Sequence, residues 1–332
     1  MGSAEKLVDN WGRVHDQLRI SVTDRCNLRC LYCMGRQPAS YLSRSALLTY
    51  EEIIRFVRAV AKLGLRHVRL TGGEPLVRKD LPALVASLAA VEGIEDVSLT
   101  TNGSLLSQWA SPLKEAGLRR VNISLDCLCP AKYHWLTGGE LDSVLKGVDC
   151  ACRAGFDTIK INAVAIRHFS ESEIIPLAEF ARRIGAEIRF IELMPSPQDN
   201  GSPHFEPLPA SEVLAALEAH YGKLVPLEQT SAKSPATVYK FPDGNGLVGI
   251  IPALTRPFCA TCNRLRLSAD GKLRNCLFAF ESWDIRALLR RGASEKTLQE
   301  IVLAAVNAKW QSRPEPEDKN LRLPMPMYRA GG

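Results

Sequence analysis

The chain has 332 residues, about two ordinary domains or one barrel-sized unit with an appendage. Hydrophobic residues make up 46% and charged residues 23%, which excludes a disordered, collagen-like or low-complexity chain. The net charge of +6 favours an anionic ligand, but the cations are spread too evenly to form a nucleic-acid-binding arm.

From the start, Met1-Gly2-Ser3-Ala4-Glu5 lacks the basic-then-apolar pattern of a secretory signal, so a cytoplasmic protein is expected. Six segments rich in Ile, Leu and Val read as strands: 18–22, 67–71, 97–101, 121–125, 159–164 and 188–193. Helical patterns alternate with them at 51–63, 81–91, 105–116, 141–154 and 172–184. In the first, Ile53, Ile54, Val57, Val60 and Ala61 form one apolar stripe, and Thr49 with Glu52 makes a capping box. Ser170 with Glu173 predicts the same start for the last. The stretch 81–91, the longest uncharged and largely apolar one, contains Pro82 and falls short of the roughly 18–20 residues of a membrane span, so no membrane partner is expected. Repeated βα units demand a parallel sheet, and the fold class is α/β, with an incomplete (β/α)6 barrel within residues 1–194.

Texture changes at Pro195. Pro195, Pro197, Gly201, Pro203, Pro207 and Pro209 mark a linker or a rigid excursion. Beyond it come a helix at 211–220, a strand-and-turn region at 225–273 and a helix at 298–309, whose Leu298, Ile301, Val302, Ala305 and Val306 share a face. Residues 195–332 are too thin for a large core of their own and are expected to pack as a small domain against the open side of the barrel.

Ten cysteines in a reducing compartment point to metal or redox chemistry rather than to disulfides. Cys26, Cys30 and Cys33 follow the first strand directly. Structural zinc takes four ligands, and neither His15 nor His67 is spaced as the fourth, whereas an iron–sulfur cube held by three thiolates keeps one iron open for a small molecule. Loops after barrel strands build the catalytic face, which is where this group falls. Cys259, Cys262 and Cys276 form a second set of three, for which a zinc site completed by water is the alternative. Cys127, Cys129, Cys150 and Cys152 read as packing residues, since an i, i+2 pair on a helix does not face one centre. Arg264 and Arg266, two apart on a strand, project on one face.

The first cysteine group, with Tyr32 before its last member, and Thr71-Gly72-Gly73-Glu74-Pro75 at a strand end resemble the radical S-adenosylmethionine (SAM) superfamily. Leu18 to Cys26, Arg69 to Pro75, Leu99 to Gly103, Asn122 to Asp126, Arg189 to Met194, Phe258 to Leu267 and the closing Gly331-Gly332 narrow the resemblance to the GTP 3′,8-cyclase family, which begins molybdenum cofactor biosynthesis. The family's first cysteine group continues Cys-Met-Pro, whereas Gly35 follows Met34 here.

The resemblance implies two 4Fe–4S clusters and SAM as cofactors. The cluster on Cys26, Cys30 and Cys33 would bind SAM, with Tyr32, Gly73, Glu74, Ser124 and Met194 at the cofactor. The 5′-deoxyadenosyl radical from SAM would remove hydrogen from C3′ of GTP, and C3′ would then attack C8 of guanine. The cluster on Cys259, Cys262 and Cys276 would hold the guanine end. Arg19, Arg69, Thr100, Lys160, Arg264, Leu265 and Arg266 would contact GTP, with Arg19, Arg264 and Arg266 also catalytic. Guanidinium forks suit the phosphates. Implied partners are GTP, an electron donor and a downstream cyclic pyranopterin monophosphate synthase, with no nucleic acid, and with a homodimer as the alternative to a monomer. Gly331 and Gly332 read either as a frayed tail or, as in the family, as a segment entering the active site. A radical SAM peptide maturase with an auxiliary cluster is the competing enzyme reading, and a zinc-binding interaction module the non-enzymatic one.

Overall fold

The computed structural model describes residues 6–35, 39–194, 205–227, 234–313 and 323–331. Strand β1 (Gln17–Ser21) leads to a single helical turn, α1 (Leu31–Met34), then to α2 (Tyr50–Ala61) and β2 (His67–Thr71). The alternation continues with α3 (Leu81–Ala89), β3 (Asp96–Thr101), α4 (Leu106–Glu115) and β4 (Arg120–Ser124). Helices α5 (Pro130–Thr137) and α6 (Leu141–Ala154) precede β5 (Thr158–Ala165), and α7 (Ile174–Arg183) precedes β6 (Glu187–Glu192). The six expected βα strands are all present.

The expected capping box of α2 forms: Glu52 N donates to Thr49 Oγ1 at 3.2 Å, and Thr49 N donates to Glu52 Oε2 at 2.8 Å. The one expected at Ser170 and Glu173 does not. Ser170 Oγ instead accepts from Ile166 N at 2.9 Å, and Glu173 accepts from Leu128 N at 3.0 Å and Lys132 Nζ at 3.1 Å. Donors on neighbouring segments, among them Lys132 of α5, outcompete the local ones. Helix α5 carries start and stop signals, Pro130 at its first turn and Gly138 (φ 70°) just past its end, although its apolar pattern is weak.

After α8 (Ala210–Tyr221) come β7 (Val225–Pro226), β8 (Thr237–Lys240), β9 (Leu247–Ile251), β10 (Arg264–Leu267), β11 (Lys272–Arg274) and β12 (Trp283–Asp284). Helices α9 (Ile285–Arg290), α10 (Glu295–Asn307) and α11 (Met327–Ala330) follow. Of the proline-rich excursion, 195–204 lies outside the described residues; Pro207 bridges to Ile166 and Pro209 caps α8.

One sheet holds all twelve strands, in the order β12-β11-β10-β1-β2-β3-β4-β5-β6-β9-β8-β7. Strand β10 pairs parallel with β1, and β9 pairs parallel with β6. The segment beyond residue 194 therefore extends the barrel sheet at both edges. Leu18 and Ile20 on β1 and Leu265 and Leu267 on β10 are buried in the hydrophobic core. The alternate positions Arg19, Arg264 and Arg266 line an internal cavity, as the period of two requires. Among the described residues no helix is long and apolar enough to cross a membrane.

Candidate active site

The first cysteine group sits beyond the carboxyl end of β1. The single turn of α1 brings Cys30 and Cys33 to one side, with Cys33 N donating to Cys30 O at 3.0 Å. Gly35 closes that turn at φ 67°, a conformation closed to the proline found there in the family. Cys26, Cys30 and Cys33 all face the cavity. Burial, reinforced by Cys26, pushes the Cys33 thiol up to about 12, and burial with Cys33 and Asp126 nearby drives Cys30 upward too. Such thiols ionise when a bound cation compensates the charge.

Strand direction places the second group at the other end of the sheet. Cys259 and Cys262 occupy a 3₁₀ turn, Cys262 N donating to Cys259 O at 3.2 Å, immediately before β10. Because β10 runs parallel to β1, its start lies at the end opposite the first group. Strand β11 then returns antiparallel, pairing Arg266 with Arg274, so Cys276 comes back to the level of Arg264, two residues from Cys262. The 13-residue gap is thus a hairpin that restores one ligand set. β1 has five residues, so its ends stand about 13 Å apart. Burial opposes ionisation of Cys262, but Lys309 and Arg264 outweigh it and hold the thiol down to about 7.

A cavity of about 990 Å³, large enough for two ligands side by side, opens onto all six cysteines. Eight Lys and Arg side chains and four carboxylates line it among the described residues. The register sets Arg266, Arg19 and Arg69 side by side on β10, β1 and β2. Burial, then Arg120 and Arg264, lowers Arg69 to about 9; burial and Arg264 lower Arg266 to about 10. Burial and the neighbouring arginines also lower Arg19. Three guanidiniums in a row, Arg266 buried and Arg19 and Arg69 half-buried, repel one another and favour an anionic ligand between them. Farther round, Glu187 joins Lys160 at 2.7 Å and Arg189 at 2.5 Å. Thr100 lines the wall as well.

Residues 20–181 match the family model of the Radical SAM superfamily, and residues 186–314 match that of Molybdenum Cofactor Synthesis C. A GTP 3′,8-cyclase from Rhodopirellula baltica is 44% identical over 91% of this chain and 86% of its own. The chain belongs to the GTP 3′,8-cyclase family. A family member from Thermodesulfovibrio yellowstonii is 40% identical over 98% of this chain and all of its own. Among solved structures, Streptococcus suis SuiB bound to its precursor peptide SuiA gives a TM-score of 0.62 at 15% identity, covering 97% of this chain and 73% of that one. The protein anSMEcpe with bound AdoMet gives 0.61 at 16%, covering 92% of both chains. These two structures share the fold. Two 4Fe–4S clusters and SAM are the cofactors of this GTP 3′,8-cyclase family member, and the donor sets fit them: two groups of three free cysteines facing one cavity. Among the described residues no group of three or more His, Cys, Asp or Glu side chains is gathered tightly enough to hold a single metal ion.

Tyr32, Gly73, Ser124 and Met194, the expected SAM contacts of the cyclase family, line the cavity near the first cysteine group. Two expected residues do not line it. Glu74 is fully buried, and its carboxylate accepts from Thr101 Oγ1 and Asn102 N at 2.7 Å and from Leu76 N at 3.0 Å. Burial raises it to about 7 against those bonds. It ties the exit of β2 to that of β3. Leu265 turns into the core between its two arginine neighbours. Gly73 is needed for close approach, since a Cβ there would lie 2.3 Å from Arg25 O in the first cysteine loop. The frayed-tail reading of Gly331 fails: the residue is buried, and its carbonyl accepts from Arg266. Gly332 lies outside the described residues.

Among the cavity residues that escaped the sequence reading are Asp126, Arg189 and Asn162. Asp126 accepts from the Tyr32 hydroxyl at 2.8 Å and from Val164 N at 2.8 Å, while burial lifts it to about 6. Its place two residues after Ser124 was the available signal. Arg189 shares a face of β6 with Ile191, and Asn162 a face of β5 with Lys160. Of the four other cysteines, Cys127 is in the core and Cys150 and Cys152 pack against it, while Cys129 caps α5.

Proposed function

We propose that this chain converts GTP to (8S)-3′,8-cyclo-7,8-dihydroguanosine 5′-triphosphate, the first step of molybdenum cofactor biosynthesis. The observation that supports this best is the row Arg266, Arg19 and Arg69, set between two three-cysteine groups in one cavity. A first cluster on Cys26, Cys30 and Cys33 would pass one electron from the donor to SAM, releasing methionine and the 5′-deoxyadenosyl radical that would take hydrogen from C3′ of GTP; C3′ would then join C8 of guanine, and a second electron with a proton would complete the dihydro product.

In this reading Cys26, Cys30 and Cys33 hold the first cluster, and Tyr32, Gly73, Ser124 and Met194 seat SAM. Arg19, Arg69, Lys160, Arg264 and Arg266 bind the triphosphate and orient the ribose, with Thr100 on the nucleoside. Cys259, Cys262 and Cys276 hold the second cluster at the guanine end. Enclosure keeps water from the radical and holds C3′ within attack distance. Residues 1–194 act as the radical SAM part and residues 195–332 as the auxiliary-cluster and GTP-binding part. The partners are GTP, an electron donor and a cyclic pyranopterin monophosphate synthase, in the cytoplasm, and the chain works as a homodimer or a monomer. A peptide maturase would leave the arginine row without a counter-charge.

The test is incubation of reduced, anaerobic, iron-loaded protein with SAM and GTP. Mass spectrometry should find 5′-deoxyadenosine and a cyclised nucleotide in step. SAM cleavage without any cyclised nucleotide would refute the substrate assignment, and about four irons per chain instead of about eight would refute the second cluster.

A further inference from the structure

Lys309 follows α10 and is only 5% exposed, yet it does not line the cavity. Its Nζ donates to the Cys262 sulfur at 3.5 Å and to the Arg264 carbonyl oxygen at 2.9 Å. Among the described residues no carboxylate lies within ion-pair distance of it. A buried ammonium is costly unless negative charge faces it. The negative groups that face Lys309 are the sulfurs of Cys262 and Cys276. Its other charged neighbour, Arg13, is anchored elsewhere, through Nε to Asp9 and through Nη1 to the carbonyl oxygens of Cys259 and Gln311. The ammonium thus stands behind the second ligand set, on the side away from substrate.

We infer that Lys309 is a positioning residue of the second cluster: it raises the cluster's reduction potential from behind and, by holding the Arg264 carbonyl, fixes the start of the strand that presents Arg264 to GTP. The inference rests on the proposed placement of that cluster on Cys259, Cys262 and Cys276. A cation and an N–H donor at a ligand sulfur draw electron density from it and stabilise the reduced state. Arg264 also faces Cys262, but from the cavity side, where an arriving triphosphate competes for its charge. Lys309 is shielded from that competition, so its effect persists when substrate binds.

The test reads the second cluster alone, in protein whose first ligand set is removed by Cys26→Ala, Cys30→Ala and Cys33→Ala. In that background Lys309→Met and Lys309→Arg are compared with unaltered Lys309 by iron content and by redox titration followed by electron paramagnetic resonance. The Met variant should titrate at a more negative potential, and the Arg variant close to the parent. Equal potentials for Met and parent, or an Arg shift as large as that of Met, would overturn the inference. If Met takes up no cluster while Arg does, the charge is required and the inference stands; if neither does, Lys309 is a packing residue and the inference falls. No iron in the parent would overturn the cluster placement itself, a separate outcome.

Discussion

Arg266 Nη1 donates to the carbonyl oxygen of Gly331 at 2.7 Å, joining a strand of the cavity wall to the penultimate residue of the chain. Gly331 has φ +73°, and a Cβ there would lie 2.5 Å from Thr71 Oγ1 and 3.3 Å from Ser21 Cβ. Those neighbours end β2 and β1, beside the first cysteine loop. Gly331→Ala should therefore expel the tail and cut cyclised product about 5- to 150-fold, from strain of about 1–3 kcal/mol, with iron content unchanged. Product formation at the parent rate would show that the tail is dispensable.

Arg264 and Arg266 test the step from charge to substrate. Each charge-assisted hydrogen bond to a phosphate contributes about 1.5–3 kcal/mol, so Arg264→Ala or Arg266→Ala should weaken GTP binding about 10- to 150-fold. Guanosine affinity should change far less. Lysine should restore the charge but not the planar fork. Equilibrium binding on fully loaded anaerobic protein would decide, and unchanged GTP affinity would make these arginines structural charges.

The two cysteine groups should separate genetically. Cys30→Ser should abolish 5′-deoxyadenosine formation, because a hydroxyl replaces a thiolate poorly at iron. Cys262→Ser should lose cyclised product while keeping some uncoupled SAM cleavage. Full product from Cys262→Ser with a single cluster would refute a substrate-binding role for the second.

A pH dependence of stability arises behind the second group. Asp9 accepts from Arg13 Nε at 2.6 Å and lies 2.9 Å from His15 Nε2. Burial and then Lys309 outweigh that carboxylate and lower His15 from 6.5 to about 4. The unfolded chain therefore binds this proton more tightly than the folded one. The stabilisation is complete above pH 6.5 and is lost as pH falls toward 4. Between about pH 7.5 and 5.5 the loss amounts to about 1.3 kcal/mol. Denaturant unfolding at both pH values should show a smaller loss for His15→Gln than for the parent; equal losses would remove His15 as the cause.

Much of the barrel is legible because helix and strand periods differ, and the shared face of Arg264 and Arg266 followed from alternation alone. Pairing across the chain was not legible. Leu18 meets Leu265 and Phe190 meets Ile250, and nothing in the local pattern of either partner specifies the other. Glu74 shows a second limit: its sequence context signals a cofactor segment, but the fold satisfies its carboxylate with Thr101, Leu76 and Asn102. Lys309 shows a third: it lies just past the end of α10, at a spacing that would continue the helix's apolar stripe, and only tertiary packing brings it to Cys262.

The sheet order also governs how the chain must be made. Strands β1 and β6 gain their outer neighbours only from β10 and β9, which emerge from the ribosome after the whole barrel sequence. At about 5–20 residues per second, the interval from the end of β6 to the end of β10 lasts roughly 4–15 s. Until β9 is made both parallel edges are bare, and until β10 follows the β1 edge still is, so the nascent barrel offers templates for pairing with other chains. A message truncated near residue 194 would thus yield an aggregating fragment, and folding in the cell would call for a chaperone during that interval.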